Sequence, residues 1–437
     1  MKLLVFAHTP PPHHGQSYMV QLMLAGFGGD QRRSARPAHA PSLGIECYHV
    51  NARVSRKLGD IGELQVGKIL LLLGYCLQAV WCRFRYRVTT LYYIPAPGKR
   101  SALYRDWLVM FLCRPFFKRI VLHWHCAGLA EWLETAVQMR FRSLTYRLMK
   151  KVDLSIVLSR SSFADAQKLF SRRVVIVRNG IPDPCPAFDR DVLPRRRARL
   201  SARQNLLAGR TLTPADLAAA GGDPQVFKVL YLAHCIREKG LFDTLDGVAL
   251  ANHNLALAQS PLRIRLSVAG DFMKASEREE FRQRLAQPDL RLPGAETSPE
   301  TAPNPDYPSD LQSACRGTCV TYLGFVSGPA KTRALAESDC FCFPTSLGEN
   351  FPLVVLEAMA FGLPILTTRW RATPEVLPQD YPGFVDIRSP GQIADRLQGL
   401  LCLGTGEELR ELFIRSYTLE HHLAELAQAI RSTETGQ

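Results

Sequence analysis

The chain has 437 residues, 46% of them apolar and 22% charged, the mix of a folded globular protein, which excludes disorder as its main state. That length suggests two or three domains, each able to bury its own core without a disulfide or metal staple. The net charge of +14 is uneven, with 27 basic and 9 acidic side chains in residues 1–182 against 27 and 31 in residues 183–437, and a surplus of this kind points to an anionic partner.

Lys2 to Ala7 is a short apolar run ended by His8 and Pro10 to Pro12, which predicts a buried parallel strand entering a loop. The run is too short for a signal-peptide core. Strand and helix then alternate: helix Gln16 to Phe27, strand Ile45 to Val50, helix Ile61 to Cys82, strand Val88 to Ile94, helix Ser101 to Phe117, strand Arg119 to Trp124. A helix within Leu129 to Lys150, strand Leu154 to Leu158, helix Ser161 to Phe170 and strand Val174 to Val177 complete the series. Such repetition implies a doubly wound parallel sheet with helices on both faces. Asn179-Gly180 followed by Pro182, Pro184 and Pro186 breaks the rhythm, so residues 1–182 form one domain and residues 183–227 are read as a linker or insertion.

The pattern restarts with strand Lys228 to Ala233, helix Glu238 to Asn252, strand Ile264 to Ala269 and helix Ala275 to Leu285. Residues 288–317, with six prolines, are expected to be an irregular surface insertion. Strands Cys319 to Leu323, Asp339 to Phe343, Pro364 to Thr367 and Gly383 to Asp386 complete a second sheet, giving a domain over residues 228–415. The amphipathic stretch Leu419 to Ile430 is expected to form a C-terminal helix, within about residues 416–430, that packs back on the first domain. Two such domains facing each other leave a crevice at the carboxyl ends of their strands, where ligands bind.

The twelve cysteines sit mostly among apolar neighbours without C-x-x-C spacing and read as free thiols of a reducing compartment, which makes the cytoplasm the expected location. No zinc-finger spacing, basic zipper or aromatic ribonucleoprotein motif accompanies the basic half, so nucleic acid is not an expected partner. Lys68 to Arg87 joins fourteen mostly apolar residues to Arg83, Arg85 and Arg87, and with Trp81 it suits either a core helix or a helix lying in the headgroup region of an anionic membrane. Trp107 to Arg119 poses the same choice, and the charge of this half favours peripheral attachment, on the inner face of the membrane.

The most informative segment is Leu347 to Pro364, LGENFPLVVLEAMAFGLP, with Glu349 before a helix and Glu357 on it. Pro352 suits the first helical position, and Gly362 with Pro364 ends the helix. The free N–H groups and positive dipole end would then lie beside Asn350, Phe351 and Leu353, a preformed site for an anion such as a diphosphate. This segment resembles the E-x7-E signature of the retaining glycosyltransferases of family four, also called group 1, whose fold is GT-B: two Rossmann-like domains. The resemblance implies that Glu349 contacts hydroxyls of the donor sugar and Glu357 the nucleotide ribose, with Asn350, Phe351, Pro352 and Leu353 at the donor.

Further motifs resemble the same family in the expected order. Val229 to Gly240, VLYLAHCIREKG, implies Lys239 on the donor diphosphate. The family's usual Gly-Arg is replaced by Ala233-His234, which leaves Arg237 as a substitute second cation. Val121 to Leu133 implies a histidine near the reacting carbon, and His125, further beyond the strand than His123, is the better placed. His8 to Ser17, HTPPPHHGQS, implies an acceptor and phosphate loop at Gly15, Gln16 and Ser17, while Arg178 to Pro184 implies hinge residues Asn179 and Gly180. No metal or cofactor is expected, since the one Asp-x-Asp, Asp189 to Asp191, falls in the linker. The implied function is metal-independent transfer of a hexose-like sugar from a nucleoside diphosphate sugar to a glycan or lipid-linked acceptor, in polysaccharide synthesis at the membrane surface. A sugar-nucleotide epimerase and a nucleotide-sugar-binding protein that has lost the chemistry, the latter suggested by Ala233-His234, are the other readings the same fold allows.

Overall fold

The computed structural model describes the chain except residues 12–13, 34–41, 54–65, 96–97, 293–308, 405 and 436–437. It divides into two compact units: the first is residues 1–182, 348–353 and 417–437, the second residues 183–347 and 354–416.

In the first unit the elements run β1 (Lys2–Ala7), α1 (Gly15–Gly26), β2 (Glu46–Asn51), α2 (Val66–Arg85), β3 (Thr90–Tyr93), α3 (Arg100–Cys113) and β4 (Arg119–Trp124). They continue with α4 (Leu129–Ala136), α5 (Met139–Met149), β5 (Leu154–Val157), α6 (Phe163–Lys168) and β6 (Val174–Ile176). The six strands are parallel in the order β2-β1-β3-β4-β5-β6, so the chain changes direction of winding between β1 and β3.

Both faces of this sheet are buried, which is why its strands read as continuous apolar runs. Leu4 and Phe6 join one core with Leu72, Cys76, Ala79 and Cys82 of α2 and Leu103, Val109 and Met110 of α3. Leu3, Val5 and Ala7, on the opposite face, join a second core with Val20, Met23 and Leu24 of α1. Residues expected as one helix from Ser101 to Phe117 instead end α3 at Cys113 and turn through Arg114–Phe116, where Pro115 supplies no N–H. The helical segment expected within Leu129 to Lys150 splits into α4 and α5, with Val137 in extended conformation between them. Residues 61–65 of the expected helix over Ile61 to Cys82 lie outside the described residues.

The second unit contains α7 (Leu193–Leu207), α8 (Pro214–Ala220), β7 (Val226–Leu232), α9 (Leu241–Leu257), β8 (Arg263–Ala269), α10 (Ala275–Leu285) and α11 (Ser309–Cys315). It continues with β9 (Val320–Gly324), α12 (Gly328–Glu337), β10 (Cys340–Phe343), α13 (Leu353–Ala360), β11 (Ile365–Thr368), β12 (Phe384–Val385), α14 (Pro390–Leu400) and α15 (Glu407–Ser416). Leu353, the first residue of α13, belongs to the first unit. The second sheet is also parallel, in the order β12-β11-β10-β7-β8-β9, and reverses its winding between β10 and β7. A last helix, α16 (Leu419–Thr435), returns to the first unit, where Leu423, Leu426, Ala427 and Ile430 enter the core beside α1.

Residues 183–227, read as a linker or insertion, carry two helices: α7 buries three arginines, with Arg199 Nε 2.9 Å from Asp339 Oδ1 and Arg203 Nη1 2.9 Å from Asp339 Oδ2. Arg196 Nη1 donates to the carbonyls of Phe361 and Gly362, each at 2.6 Å. Asp339 thus neutralises a helix whose composition reads as solvent-facing, and although burial opposes its charge, the two guanidiniums hold its carboxyl down at about 2. The stretch 288–317 is ordered at both ends, with a turn at Pro288–Leu290, an Arg291–Thr318 bridge and α11. Its centre, 293–308, lies outside the described residues.

Candidate functional site

Ligands of doubly wound sheets bind beyond the carboxyl ends of the strands, where the winding reverses. In the second unit that point lies between β7 and β10, and the two segments that follow these strands carry Lys239 and the start of the LGENFP segment.

The loop after β7 turns through Arg237–Lys239, and Gly240 follows at φ +82°. A side chain at Gly240 would put its Cβ 2.4 Å from the Pro344 carbonyl oxygen, so the close approach of the two loops requires glycine there. The approach is sealed by hydrogen bonds to the Glu238 carbonyl from Ser346 N at 2.8 Å, Leu347 N at 3.0 Å and Thr345 Oγ1 at 3.2 Å. Lys239 Nζ stands 5.3 Å from the centre of the Phe343 ring. Within this short turn the neighbouring cations diverge. Arg237 pairs with Glu280 of α10 and lies 4.6 Å from the Phe242 ring, so it does not replace the missing arginine of the motif beside Lys239; its backbone N–H is held by Glu277 at 3.0 Å.

Glu357, one turn into α13, is ion-paired to Lys331 of α12, with Nζ 2.6 Å from Oε1. Sequence reasoning did not single out Lys331. Its signal is the glycine-flanked segment after β9, Gly324 to Gly328, which places α12 beside α13.

In the first unit, Asn350 is 5% exposed and its side chain is fully engaged. Its Nδ2 donates to the Trp124 carbonyl at 3.0 Å, and its Oδ1 accepts from Ser159 Oγ at 3.0 Å and from Ser162 Oγ. It therefore positions the loop that carries half-buried Glu349 and does not present an amide to the donor as expected. Phe351 is buried with its ring 5.8 Å from that of Tyr417, and Pro352 is buried as well. What remains for an anion at the start of α13 is the backbone N–H groups from Leu353 onward.

The loop after β1 reaches α1, whose cap is reciprocal: the His14 backbone N–H donates to Ser17 Oγ at 3.2 Å and the Ser17 N–H donates to His14 Nδ1 at 3.4 Å. Ser17 is buried and belongs to this cap rather than to a ligand loop. Gly15 is exposed and Gln16 half-buried, and a Cβ at Gly15 would make ordinary contact, 3.7 Å, with Leu353. His13 lies outside the described residues.

His123, the last but one residue of β4, is buried in the sheet with Nδ1 on the Tyr92 hydroxyl. His125 lies just past the strand, its ring 4.2 Å from that of His123. Desolvation, then the nearby His422 and His14, pushes His125 down to about 3. His8, whose Nε2 is 2.8 Å from His14 Nε2, is pushed down to about 4 by burial and His14, and His422 to about 4 by burial against the pull of the Arg178 carbonyl. The carboxyl ends of β1 and β4 and the start of α16 thus carry neutral imidazoles; His8 and His422 were not anticipated.

Asn179 and Gly180 lie inside the first unit, just before its longest segment ends at Pro182. Asn179 is buried with Nδ2 3.5 Å from the Phe351 carbonyl oxygen, and a Cβ at Gly180 would come within 2.3 Å of the Thr418 carbonyl oxygen. Asp191 of the Asp-x-Asp is paired with Arg190, and among the described residues no three His, Cys, Asp or Glu side chains group as metal ligands.

Among the described residues one helix, over Gly67–Arg85, is long and apolar enough to cross a membrane, and 22% of its apolar window is buried. Its buried residues Leu72, Cys76, Ala79 and Cys82 lie on one side; Leu70, Leu77, Trp81 and Phe84, spaced 7, 4 and 3 apart, form an exposed stripe on another. The ring of Phe84 is 6.1 Å from that of exposed Phe116.

Residues 301–402 match the model of the family described as glycosyl transferases group 1. Sulfoquinovosyl transferase of Arabidopsis thaliana is 33% identical over 107 residues, which are 24% of this chain and 21% of that protein. The phosphatidyl-myo-inositol mannosyltransferase of Mycobacterium leprae is 32% identical over 96 residues, 22% of this chain and 25% of that protein. The matched region thus spans about a quarter or less of the length of these relatives. Sucrose-phosphate synthase of Thermosynechococcus elongatus has a similar structure over 100% of both chains, with a TM-score of 0.60 at 17% identity. HepE of Anabaena, in complex with UDP and glucose, aligns over 98% of this chain and 99% of its own, with a TM-score of 0.56 at 14% identity. The matched segment carries both glutamates and is similar to the group 1 glycosyltransferases, and the two reversing parallel sheets share the GT-B fold of the solved structures.

Proposed function

We propose that the protein is a retaining, metal-independent glycosyltransferase that moves a sugar from a nucleoside diphosphate sugar to an acceptor linked to a membrane lipid or a growing glycan. The observation that carries this reading is the junction at the reversal point of the second sheet, where the Lys239 turn is bonded to the loop leading into the glutamate segment.

In this reading Lys239 and the first N–H groups of α13 hold the donor diphosphate, as a point charge and as aimed dipoles, and stabilise it as it leaves. Glu349 takes hydroxyls of the sugar, and Glu357, held by Lys331, takes the ribose. His125, which stays neutral throughout the physiological range, offers its ring to the sugar near the reacting carbon without adding charge. The bond from the anomeric carbon to the diphosphate oxygen breaks as the acceptor hydroxyl attacks from the same face, and the departing phosphate oxygen takes the hydroxyl proton. No carboxylate base is then required.

A membrane-linked acceptor and peripheral attachment on the cytoplasmic face are supported by the exposed stripe of α2, by exposed Arg85 and Arg87 at its end, and by the basic surplus of residues 1–182. The name of the mycobacterial relative, which specifies phosphatidyl-myo-inositol, agrees with a lipid acceptor. The test is a thermal-shift screen against UDP-, GDP-, ADP- and TDP-sugars. Stabilisation by one base, lost in Glu357→Ala, is expected; no stabilisation by any of the four would overturn the reading.

A further inference from the structure

The first unit contains a cleft lined by none of the residues assigned above to donor or sugar. It has a volume of about 150 Å³, is open to solvent on one side, and lies between the start of α3, α4 and the start of α5. Its walls include Tyr104, Trp107, Trp132 and Phe141, and Arg100 and Arg140 also line it. Because α3 and α4 follow β3 and β4, the cleft sits beyond the carboxyl ends of two neighbouring strands, the ligand side of such a sheet.

The aromatic walls are fixed in place. Trp107 Nε1 donates to Thr145 Oγ1 at 2.9 Å, and that hydroxyl donates to the Phe141 carbonyl at 2.9 Å. The rings of Tyr104 and Trp107 are 5.3 Å apart, and those of Trp107 and Phe141 5.8 Å apart. Trp132 packs so closely on the loop after β3 that a Cβ at Gly98 would come 2.7 Å from its ring, so this glycine makes room for the indole. Arg140 leans over Phe141 at 4.7 Å, and neither it nor Arg100 forms an ion pair among the described residues.

Two guanidiniums without an ion pair among the described residues, beside mutually packed aromatic rings, suit a ligand that is anionic at one end and has an apolar or ring-shaped body at the other. We infer that the cleft binds the phosphoryl end of the acceptor: phosphate or diphosphate oxygens between Arg100 and Arg140, and the esterified group on Trp107, Trp132 and Tyr104. The inference rests on the transferase reading for the word acceptor alone, because the binding is measured without turnover. Position supports it too. Arg100, Tyr104, Trp107 and Phe111 recur every three or four residues along one face of α3, so the cleft opens onto the exposed side of that helix, where Phe111 is 68% exposed.

The experiment titrates the full chain with geranyl diphosphate, glucose 1-phosphate, inorganic pyrophosphate and geraniol at constant ionic strength, reading the intrinsic tryptophan fluorescence, to which Trp107 and Trp132 of the cleft contribute. At least one phosphoester is expected to give a saturable change, geraniol none, and the Arg100→Gln/Arg140→Gln variant to bind at least tenfold more weakly with an unchanged melting temperature. Tighter binding of geranyl diphosphate would assign an isoprenoid-linked phosphate, and tighter binding of glucose 1-phosphate a sugar phosphate. No saturable change with either phosphoester, an equal response to geraniol, or an unaltered affinity in the double variant would overturn the inference. The same double variant must keep its stabilisation by the donor nucleotide sugar. Donor stabilisation without phosphoester binding removes this inference alone, and phosphoester binding without donor stabilisation removes the transferase reading alone.

Discussion

Asn350→Asp exchanges one NH2 group for an oxygen at almost constant volume, and the surroundings of Asn350 make the cost calculable. The carboxylate keeps the two bonds accepted from Ser159 and Ser162 but turns an oxygen toward the Trp124 carbonyl, where Nδ2 donated at 3.0 Å. One neutral hydrogen bond is lost, about 1 kcal/mol, and a buried carbonyl is left unpaired, about 1–3 kcal/mol. Desolvation of the charge adds to this, so the first unit should lose roughly 3 kcal/mol at pH 8. Burial and the facing carbonyl raise the folded pKa of the new carboxyl above its unfolded value of about 3.9. The protonated acid can donate to the Trp124 carbonyl again, so the penalty is present above the folded pKa and shrinks as pH falls through it. Urea unfolding followed by tryptophan fluorescence at pH 8 and at acid pH measures the gap between variant and wild type. A gap below about 0.5 kcal/mol at pH 8, or one that widens in acid, would refute the assigned hydrogen-bond directions.

Two further outcomes follow from buried charge. Asp339→Ala removes the common partner of Arg199 and Arg203 and should destabilise the second unit by about 3–5 kcal/mol, whereas Asp339→Ala combined with Arg199→Met and Arg203→Met should recover much of the loss in the same urea titration. For the histidines, folded pKa values of about 4, 3 and 4 at His8, His125 and His422 lie below the unfolded value of about 6.5. Their neutral forms therefore contribute stability that is whole above pH 6.5 or so and is lost as pH falls toward 4. Melting temperatures of wild type should drop over that window, and His422→Gln should flatten the drop; a drop as steep in the variant would exclude His422 as a source.

The sheets were legible because their cause is local. Strands buried on both faces need short unbroken apolar runs, and runs such as Lys2 to Ala7 and Val229 to Leu232 carry that requirement in adjacent residues. The turn at Gly240 and the end of α3 near Pro115 have local causes too, a φ sign and a missing N–H, yet both fall inside stretches whose apolar periodicity predicts unbroken helix. The glutamate segment and the Lys-Gly turn were recognisable from residue type and spacing, and the strand order brings their loops together at one reversal point.

The partners of polar side chains were not legible. The arginines of α7 look like a solvated face until Asp339, some 140 residues away in sequence, is packed beneath them. Arg237 and Lys239 are two residues apart and equivalent in charge, and only the packing of α10 and β10 sends one to Glu280 and the other to Phe343. Asn350 belongs to a motif that suggests ligand contact, yet Trp124, Ser159 and Ser162 consume its hydrogen bonds. By itself, then, the sequence determined most of the strand and helix succession, the two-sheet plan and the motifs that resemble those of the family. The tertiary structure alone decided which of those residues remain available to a ligand, because a hydrogen bond or ion pair is satisfied by whichever group lies within about 3 Å, and proximity across a hundred residues is a property of packing.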